Sequence, residues 1–197
     1  MGKIKNLEVY KGMLIVVDMV NGFVREGALH DEKIADVIPR QLELIKEAKA
    51  RGDLVVFVKD THDEDAVEFK RFGGTKHCVR DTSEAQLIDE FLPLEAEDNT
   101  ISIEKNSTSY MEAEKFRSLI GSLSELERVD VIGCCTDICD FNGTMGLANY
   151  FDQNNKDVNI NIHLDAVATY AEDKRKNYVD AACLLMEQQG IQLVKKR

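Results

Sequence analysis

Met13-Leu-Ile-Val-Val17 is an unbroken apolar run that stops at Asp18. A strand with no polar alternation must be covered on both faces, which is the situation of a central strand in a parallel sheet. The pattern recurs along the chain. Leu54-Val-Val-Phe-Val58 leads into Lys59 and Asp60, 100–103 into Glu104 and Lys105, and Val129-Asp-Val-Ile132 into Gly133. Residues 158–163 alternate apolar and polar as a fifth strand, and 191–194 read as a last one. Between these lie helical patterns at 33–51, 83–92, 112–120, from near Asp137 toward Tyr150, and at 172–189. In the first of them Ile34, Val37, Ile38, Leu42, Ile45 and Ala48 recur at three- and four-residue steps, and Gly52 is a natural stop. Pro39 either kinks that helix or marks the start of its regular part. Strand and helix alternate throughout. This predicts one α/β domain over 1–197, with a mostly parallel central sheet flanked by helices on both faces.

Charge narrows the function. The chain carries 25 Lys and Arg against 36 Asp and Glu, a net charge of -11. Phosphate backbones and anionic membranes both select basic surfaces, so neither is an expected partner. No segment is long and apolar enough to span a bilayer, and residues 1–11 lack a signal peptide's apolar stretch. A cytoplasmic location is therefore expected. The five cysteines are odd in number, and Cys134, Cys135 and Cys139 crowd into six positions, which is no disulfide framework. In a reducing compartment such a cluster is either a reactive thiol or a set of small buried side chains.

In open α/β sheets the site lies beyond the carboxyl ends of the strands. Four strands here end in polar or reactive residues: Asp18, Asp60, Lys105 and the Gly133-to-Cys139 turn. That turn is a strand end, a tight bend and a helix start carrying a cysteine. A helix N-terminus has free N–H groups and a positive dipole end, which favour a thiolate and could hold an oxyanion. Taken singly, Asp18 and Lys105 could equally be solvated charges at strand ends.

Gly133-Cys134-Cys135-Thr136-Asp137-Ile138-Cys139 resembles the nucleophile turn of the isochorismatase-like cysteine hydrolases, with pattern Gly-x-x-Thr-x-x-Cys. Val17-Asp18-Met19-Val20-Asn21-Gly22-Phe23, Glu104-Lys105-Asn106-Ser107-Thr108-Ser109 and Asp165-Ala166-Val167-Ala168-Thr169 resemble further segments of the family, in family order. The resemblance implies a catalytic triad of Asp18, Lys105 and Cys139. It also implies an oxyanion hole from the N–H groups of Cys135 and Cys139, and a cis peptide at Cys134–Cys135. Phe23 would line the pocket, and Phe72 or Tyr110 could serve as further walls. The implied reaction is hydrolysis of a small amide through a thioester, with nicotinamide as the leading substrate and another small amide or related substrate as the alternative. A homo-oligomer is left open.

Asp60-Thr-His62, followed by Glu68 and His77, gathers two imidazoles and two carboxylates, a donor set suited to a divalent transition metal such as Zn²⁺. The resemblance adds that nicotinamidases carry a metal beside the triad, in the order Asp-x-His, then His or Glu, then His. Asp60, His62 and His77 match this pattern; Glu68 is the fourth candidate, with Glu64 also available. Two departures from the family stand out. The stretch before His77 has no proline, and Asp140 follows the nucleophile where an apolar residue is usual.

Two other classes compete. A receiver-like phosphoacceptor domain would also place acidic residues at strand ends, but it pairs them after the first strand, where Asp18 stands alone. A family member kept only as a scaffold would not need Asp18, Lys105 and Cys139 together.

Overall fold

A computed structural model describes residues 6–195. Six strands form one sheet: β1 (Gly12–Val17), β2 (Leu54–Asp60), β3 (Thr100–Lys105), β4 (Arg128–Cys134), β5 (Asn159–Ala168) and β6 (Gln192–Val194). Their order is β3-β2-β1-β4-β5-β6, and every pairing is parallel. The expected mostly parallel sheet is thus parallel throughout.

Side chains alternate across a strand, so each central strand feeds two cores. Met13, Ile15 and Val17 point into one core with Phe116, Leu147, Phe151 and Met186. Leu14 and Val16 point into the other with Ile38, Leu44, Ile45 and Phe91. The first core is closed by helices α4 (Glu114–Ser122), α5 (Phe141–Gln153) and α6 (Glu172–Gln188), the second chiefly by α2 (Ile38–Arg51). Two single-turn helices, α1 (Asn21–Val24) and α3 (Glu68–Arg71), lie in the loops after β1 and β2.

Several expected boundaries shift. Residues 32–37 form a 3-10 turn, and the regular helix starts at Ile38 with Pro39 in its first turn, the position where a missing N–H costs nothing. The helix expected over 83–92 does not form. Short 3-10 turns occupy Ser83–Ala85 and Leu92–Ala96; between them residues 86–88 run extended beside the segment after β1 and 89–91 form a turn. Leu87 bridges to Val20, Asn21 N–H donates to Gln86, and Ile88 N–H donates to Met19. Burial of Leu87, Ile88 and Phe91 outweighs their helical spacing. β5 runs to Ala168, five residues beyond expectation, because a register shift opposite Val131 and Gly133 restores its pairing with β4.

β1 lies between β2 and β4, and the chain crosses from one side of β1 to the other between β3 and β4. The carboxyl edge at this switch point is where a crevice opens in such sheets. Gly133 lets β4 press close to β1 there. Its φ is +139°, and a Cβ on it would stand 2.2 Å from the Val17 carbonyl oxygen.

Candidate active site

Asp18, the residue after β1, adopts a left-handed backbone with φ 52°. Its N–H donates to Val58 at 2.8 Å, and its carbonyl accepts from Val20 N–H at 2.8 Å, so the side chain's aim is fixed from both sides. Lys105 is the last residue of β3, the edge strand. Its Nζ lies 2.8 Å from Asp18 Oδ2, 2.7 Å from Asp60 Oδ1 and 3.6 Å from Cys139 Sγ. All four residues are buried.

Cys139 sits in one turn of π-helix, Thr136–Asp140, that joins β4 to α5. The Cys134–Cys135 peptide ahead of it is cis. The N–H groups of Ile138 and Asp140 both donate to the Cys135 carbonyl, at 2.9 and 3.1 Å, which closes the turn tightly. Burial pushes the Cys139 thiol well up, against the opposing pull of Lys105, so the thiol rests neutral. This corrects the expectation of a thiolate stabilised by a helix terminus. Burial also raises the Asp18 carboxyl, to about 6, with Lys105 holding it down and Asp60 pushing it further up. An ionised carboxylate at this place can accept a proton from a neighbouring thiol.

Burial alone would raise Asp60 as well, but Lys105 and the imidazoles of His62 and His77 outweigh it and hold the carboxyl well below the ordinary range. Asp60 Oδ2 lies 3.0 Å from His62 Nε2 and 3.6 Å from His77 Nε2, and His62 Nε2 is 3.8 Å from Glu68 Oε1. One donor atom from each of Asp60, His62, Glu68 and His77 falls within a 4.8 Å cluster. The outer nitrogens are already engaged: His62 Nδ1 meets Asn106 Oδ1 at 2.7 Å, and His77 Nδ1 meets the Thr75 carbonyl at 3.1 Å. Both Nε2 atoms therefore face inward. His62 Nε2 is buried with no hydrogen-bond partner although Asp60 lies beside it. Two imidazoles aimed at two carboxylates, with one inward nitrogen orphaned, fit a divalent metal ion. The loop is closed by a bridge between His62 and Val79, in which His62 N–H donates to Cys78 and Arg80 N–H to His62. That bridge brings His77 alongside His62, with ring centroids 4.8 Å apart. Glu68 enters the cluster from α3, whereas Glu64 is exposed.

The cavity over Cys139 has a floor of Phe23, Asp60, His77 and Cys135 and a rim of Leu29, Phe72, Thr108, Ile138 and Tyr170, with Glu68 at one side. Phe23 and Phe72 each contact the His77 ring at 5.8 Å between centroids, the first tilted and the second edge-on. Its free space is about 20 Å³, room for one water, so a substrate must displace rim side chains. Tyr110, expected as a wall, is not brought there. It is fully buried beneath α5, packs on Phe116 at 4.8 Å and pairs with Thr144. Gly143 makes that berth, since a Cβ on it would lie 2.1 Å from the Tyr110 ring. Sequence reasoning missed Asn106, Leu29, Thr108 and Tyr170. Asn106 and Thr108 lie within the Lys105 segment itself, and Tyr170 directly follows Thr169.

The family model of the isochorismatase domain matches residues 12–195. The chain belongs to that family. It is 29% identical over 140 residues to nicotinamidase 1 of Arabidopsis thaliana, which covers 65% of this chain and 56% of that relative, so the match spans little more than half of the relative's length. An isochorismatase family protein of Bacillus subtilis is 28% identical over 173 residues, covering 83% and 89% of the two chains. Among solved structures, the pyrazinamidase of Pyrococcus horikoshii in complex with zinc superposes with a TM-score of 0.74 at 25% identity, covering 94% of this chain and 99% of that one. The isochorismatase-family chain thus carries, in Asp60, His62, Glu68 and His77, a donor set that fits a divalent metal. No helix among the described residues is long and apolar enough to cross a membrane.

Proposed function

We propose that this protein hydrolyses a small uncharged ring carboxamide, nicotinamide first, to the acid and ammonia through a thioester on Cys139. The observation that carries this reading is Lys105 Nζ held between Asp18 and Asp60 at 2.8 and 2.7 Å, 3.6 Å from Cys139 Sγ. Asp18 takes the thiol proton as Sγ attacks the amide carbon. The carbonyl electron pair moves to oxygen, where the N–H groups of Cys135 and Cys139 receive it. As the carbon–nitrogen bond breaks, Asp18 returns the proton to nitrogen and ammonia leaves. Water then attacks the thioester, and Asp18 takes its proton. The carbon–sulfur bond breaks, Asp18 reprotonates sulfur, and the acid is released. Lys105 keeps its proton throughout and balances the charge moving between Asp18 and sulfur.

Asp60, His62, Glu68 and His77 would hold the metal, with Zn²⁺ the ion their donor set favours. When bound, it would supply a fixed positive charge that can attract the lone pair of a ring nitrogen. Phe23 and Phe72 offer flat walls beside it.

Charge favours a neutral substrate. The charged residues of the cavity wall are Asp60 and Glu68, and the ammonium behind them is already shared by two carboxylates. A substrate bearing its own carboxylate would meet no side-chain cation free to pair with it among the lining residues, which leaves the metal as its one attraction. The tight cavity, without the family's proline-containing stretch before His77, also favours a second reading in which a smaller amide is the substrate. The five cysteines are all free, which suits the reducing cytoplasm. Ammonia release from nicotinamide, pyrazinamide and aliphatic amides, measured side by side on metal-loaded protein, tests the proposal. Nicotinamide turnover supports it; a preference for aliphatic amides selects the second reading.

A further inference from the structure

We propose that Tyr170 is the specificity-determining wall of the cavity, and that Arg175 is a positioning residue that ties this wall to the turn carrying Cys139. The inference rests on the amidase reading of the site and adds to it which ring-bearing amides are selected and by what.

Tyr170 stands half-buried at the cavity rim, two residues after β5. Arg175, in the first turns of α6, holds it in two ways. Its Nη1 donates to the Tyr170 hydroxyl at 3.3 Å, and its guanidinium carbon stands 4.9 Å from the ring centroid. The same guanidinium reaches Asp137, with Nε 2.7 Å from Oδ2. The other Asp137 oxygen accepts from Thr169 Oγ at 2.7 Å. Asp137 lies within the π-turn, two residues before Cys139, and its side chain is 1% exposed. Thr169, Tyr170, Arg175 and Asp137 therefore close a ring of contacts that includes the nucleophile's own turn.

The backbone is fixed on the far side as well. Ala171 adopts φ 48°, a conformation uncommon for alanine, and its N–H is held by Asp31 Oδ2 at 2.9 Å. An exposed ion pair would contribute little, but Asp137 is buried, and without Arg175 it would lose its counter-charge inside the protein.

The consequence concerns substrate choice. Phe23 and Phe72 pack against the His77 ring and belong to the His77 side of the cavity. Tyr170 belongs to the nucleophile side. A flat ring that opens the rim meets Phe23 and Phe72 on the His77 side and Tyr170 on the side of the Cys139 turn, so it is oriented toward Cys139 Sγ by aromatic faces on both sides. Amides joined directly to a planar ring are then selected over aliphatic amides of equal size.

The test compares wild type, Tyr170→Ala, Tyr170→Phe and Arg175→Ala on nicotinamide and hexanamide, an aliphatic amide of similar size. It also compares the rates at which N-phenyl iodoacetamide and plain iodoacetamide alkylate Cys139. Tyr170→Ala should raise KM for the ring amide about tenfold while kcat changes by less than about threefold. Its ring-to-aliphatic ratio of kcat/KM should fall about tenfold, and the alkylation ratio should fall in the same direction. Tyr170→Phe should keep the ring preference, since the ring remains. Arg175→Ala should show the same split, raised KM at near-constant kcat, which general destabilisation of the fold would not produce. A folded Tyr170→Ala whose ratios stay within about twofold of wild type, or which loses both substrates equally, overturns the proposal. Should Tyr170→Ala fail to fold, Tyr170→Leu is read in its place. If wild type hydrolyses no amide, the amidase reading falls, and the alkylation ratio alone decides the role of Tyr170.

Discussion

Asp60 offers Oδ1 to Lys105 Nζ at 2.7 Å and turns its other oxygen to the inward nitrogens of His62 and His77. One buried carboxylate thus joins the Lys105 ammonium to the imidazoles of His62 and His77, whereas Asp18 forms its ion pair with Lys105 alone among the described residues. The two aspartates should separate by experiment. Asp60→Asn is expected to lose both bound metal and activity. Asp18→Asn should keep its metal and lose roughly 10²- to 10⁴-fold in turnover, the usual loss when a general base is removed. Metal content by elemental analysis beside kcat decides it; equal metal loss in both variants would contradict the division of roles. His30→Ala and His163→Ala should retain metal, since neither belongs to the cluster.

Cys139→Ala should abolish turnover with the fold intact. Cys134→Ala and Cys183→Ala should retain most activity. Cys134 donates to the Asp18 carbonyl and lies fully buried, and Cys183 sits partly buried on α6. Mass spectrometry after limited alkylation should place the inactivating label on Cys139. Residual turnover in Cys139→Ala would remove the nucleophile from the scheme.

The pH profile should carry the mark of Asp18. Its carboxyl is raised to about 6 and must be ionised to accept the thiol proton. The acid limb of kcat/KM should therefore fall as pH drops through about 6, well above the ~4 of an unperturbed aspartate. A limb near 4 would show that another group, or a more solvated Asp18, accepts the proton.

Asp140 has both carboxyl oxygens buried without a partner, and burial pushes its carboxyl well up. The sign of the linkage follows from that direction. A carboxyl that holds its proton more tightly when folded gives stability that is fully present below the unfolded value of ~4 and is lost as pH rises through the folded value. Asp140→Asn keeps the shape and removes the ionisation. Its melting temperature should exceed that of wild type at pH 8 by an amount that shrinks toward pH 4. An unsatisfied buried group of this kind costs about 1–3 kcal/mol. A difference that does not change with pH would show that Asp140 is not the group responsible.

Much of the site could be read directly because a parallel sheet brings the carboxyl ends of its strands to one edge. Asp18, Asp60 and Lys105 each end or follow an apolar run, and Cys139 lies one turn beyond another, so strand assignment alone converged them. The metal-ligand side chains were legible from donor chemistry, although the bridge between His62 and Val79 that draws the loop together leaves no trace in hydropathy. Tyr110 and Tyr170 mark the limit. Five residues after Lys105, Tyr110 looked well placed to be a wall, yet a 3-10 turn sends it into the core under Gly143. Tyr170 had no periodicity to announce it, because its place depends on Arg175, which is itself held by Asp137, 38 residues away in sequence. The failed helix at 83–92 has the same origin: tertiary burial of Leu87 and Ile88 overrode local spacing.

Lys105 closes the edge strand β3, and Asp18 follows β1, with β2 lying between them. The ammonium and its carboxylate therefore meet only across an intervening strand, and Cys139 arrives from the opposite flank of β1. A partly assembled sheet lacking the β2–β3 pairing has Asp18 and Cys139 near each other but no cation between them. Recovered turnover during refolding is for this reason a gauge of complete assembly on both sides of β1, and it should lag behind any spectroscopic signal that reports helix content alone.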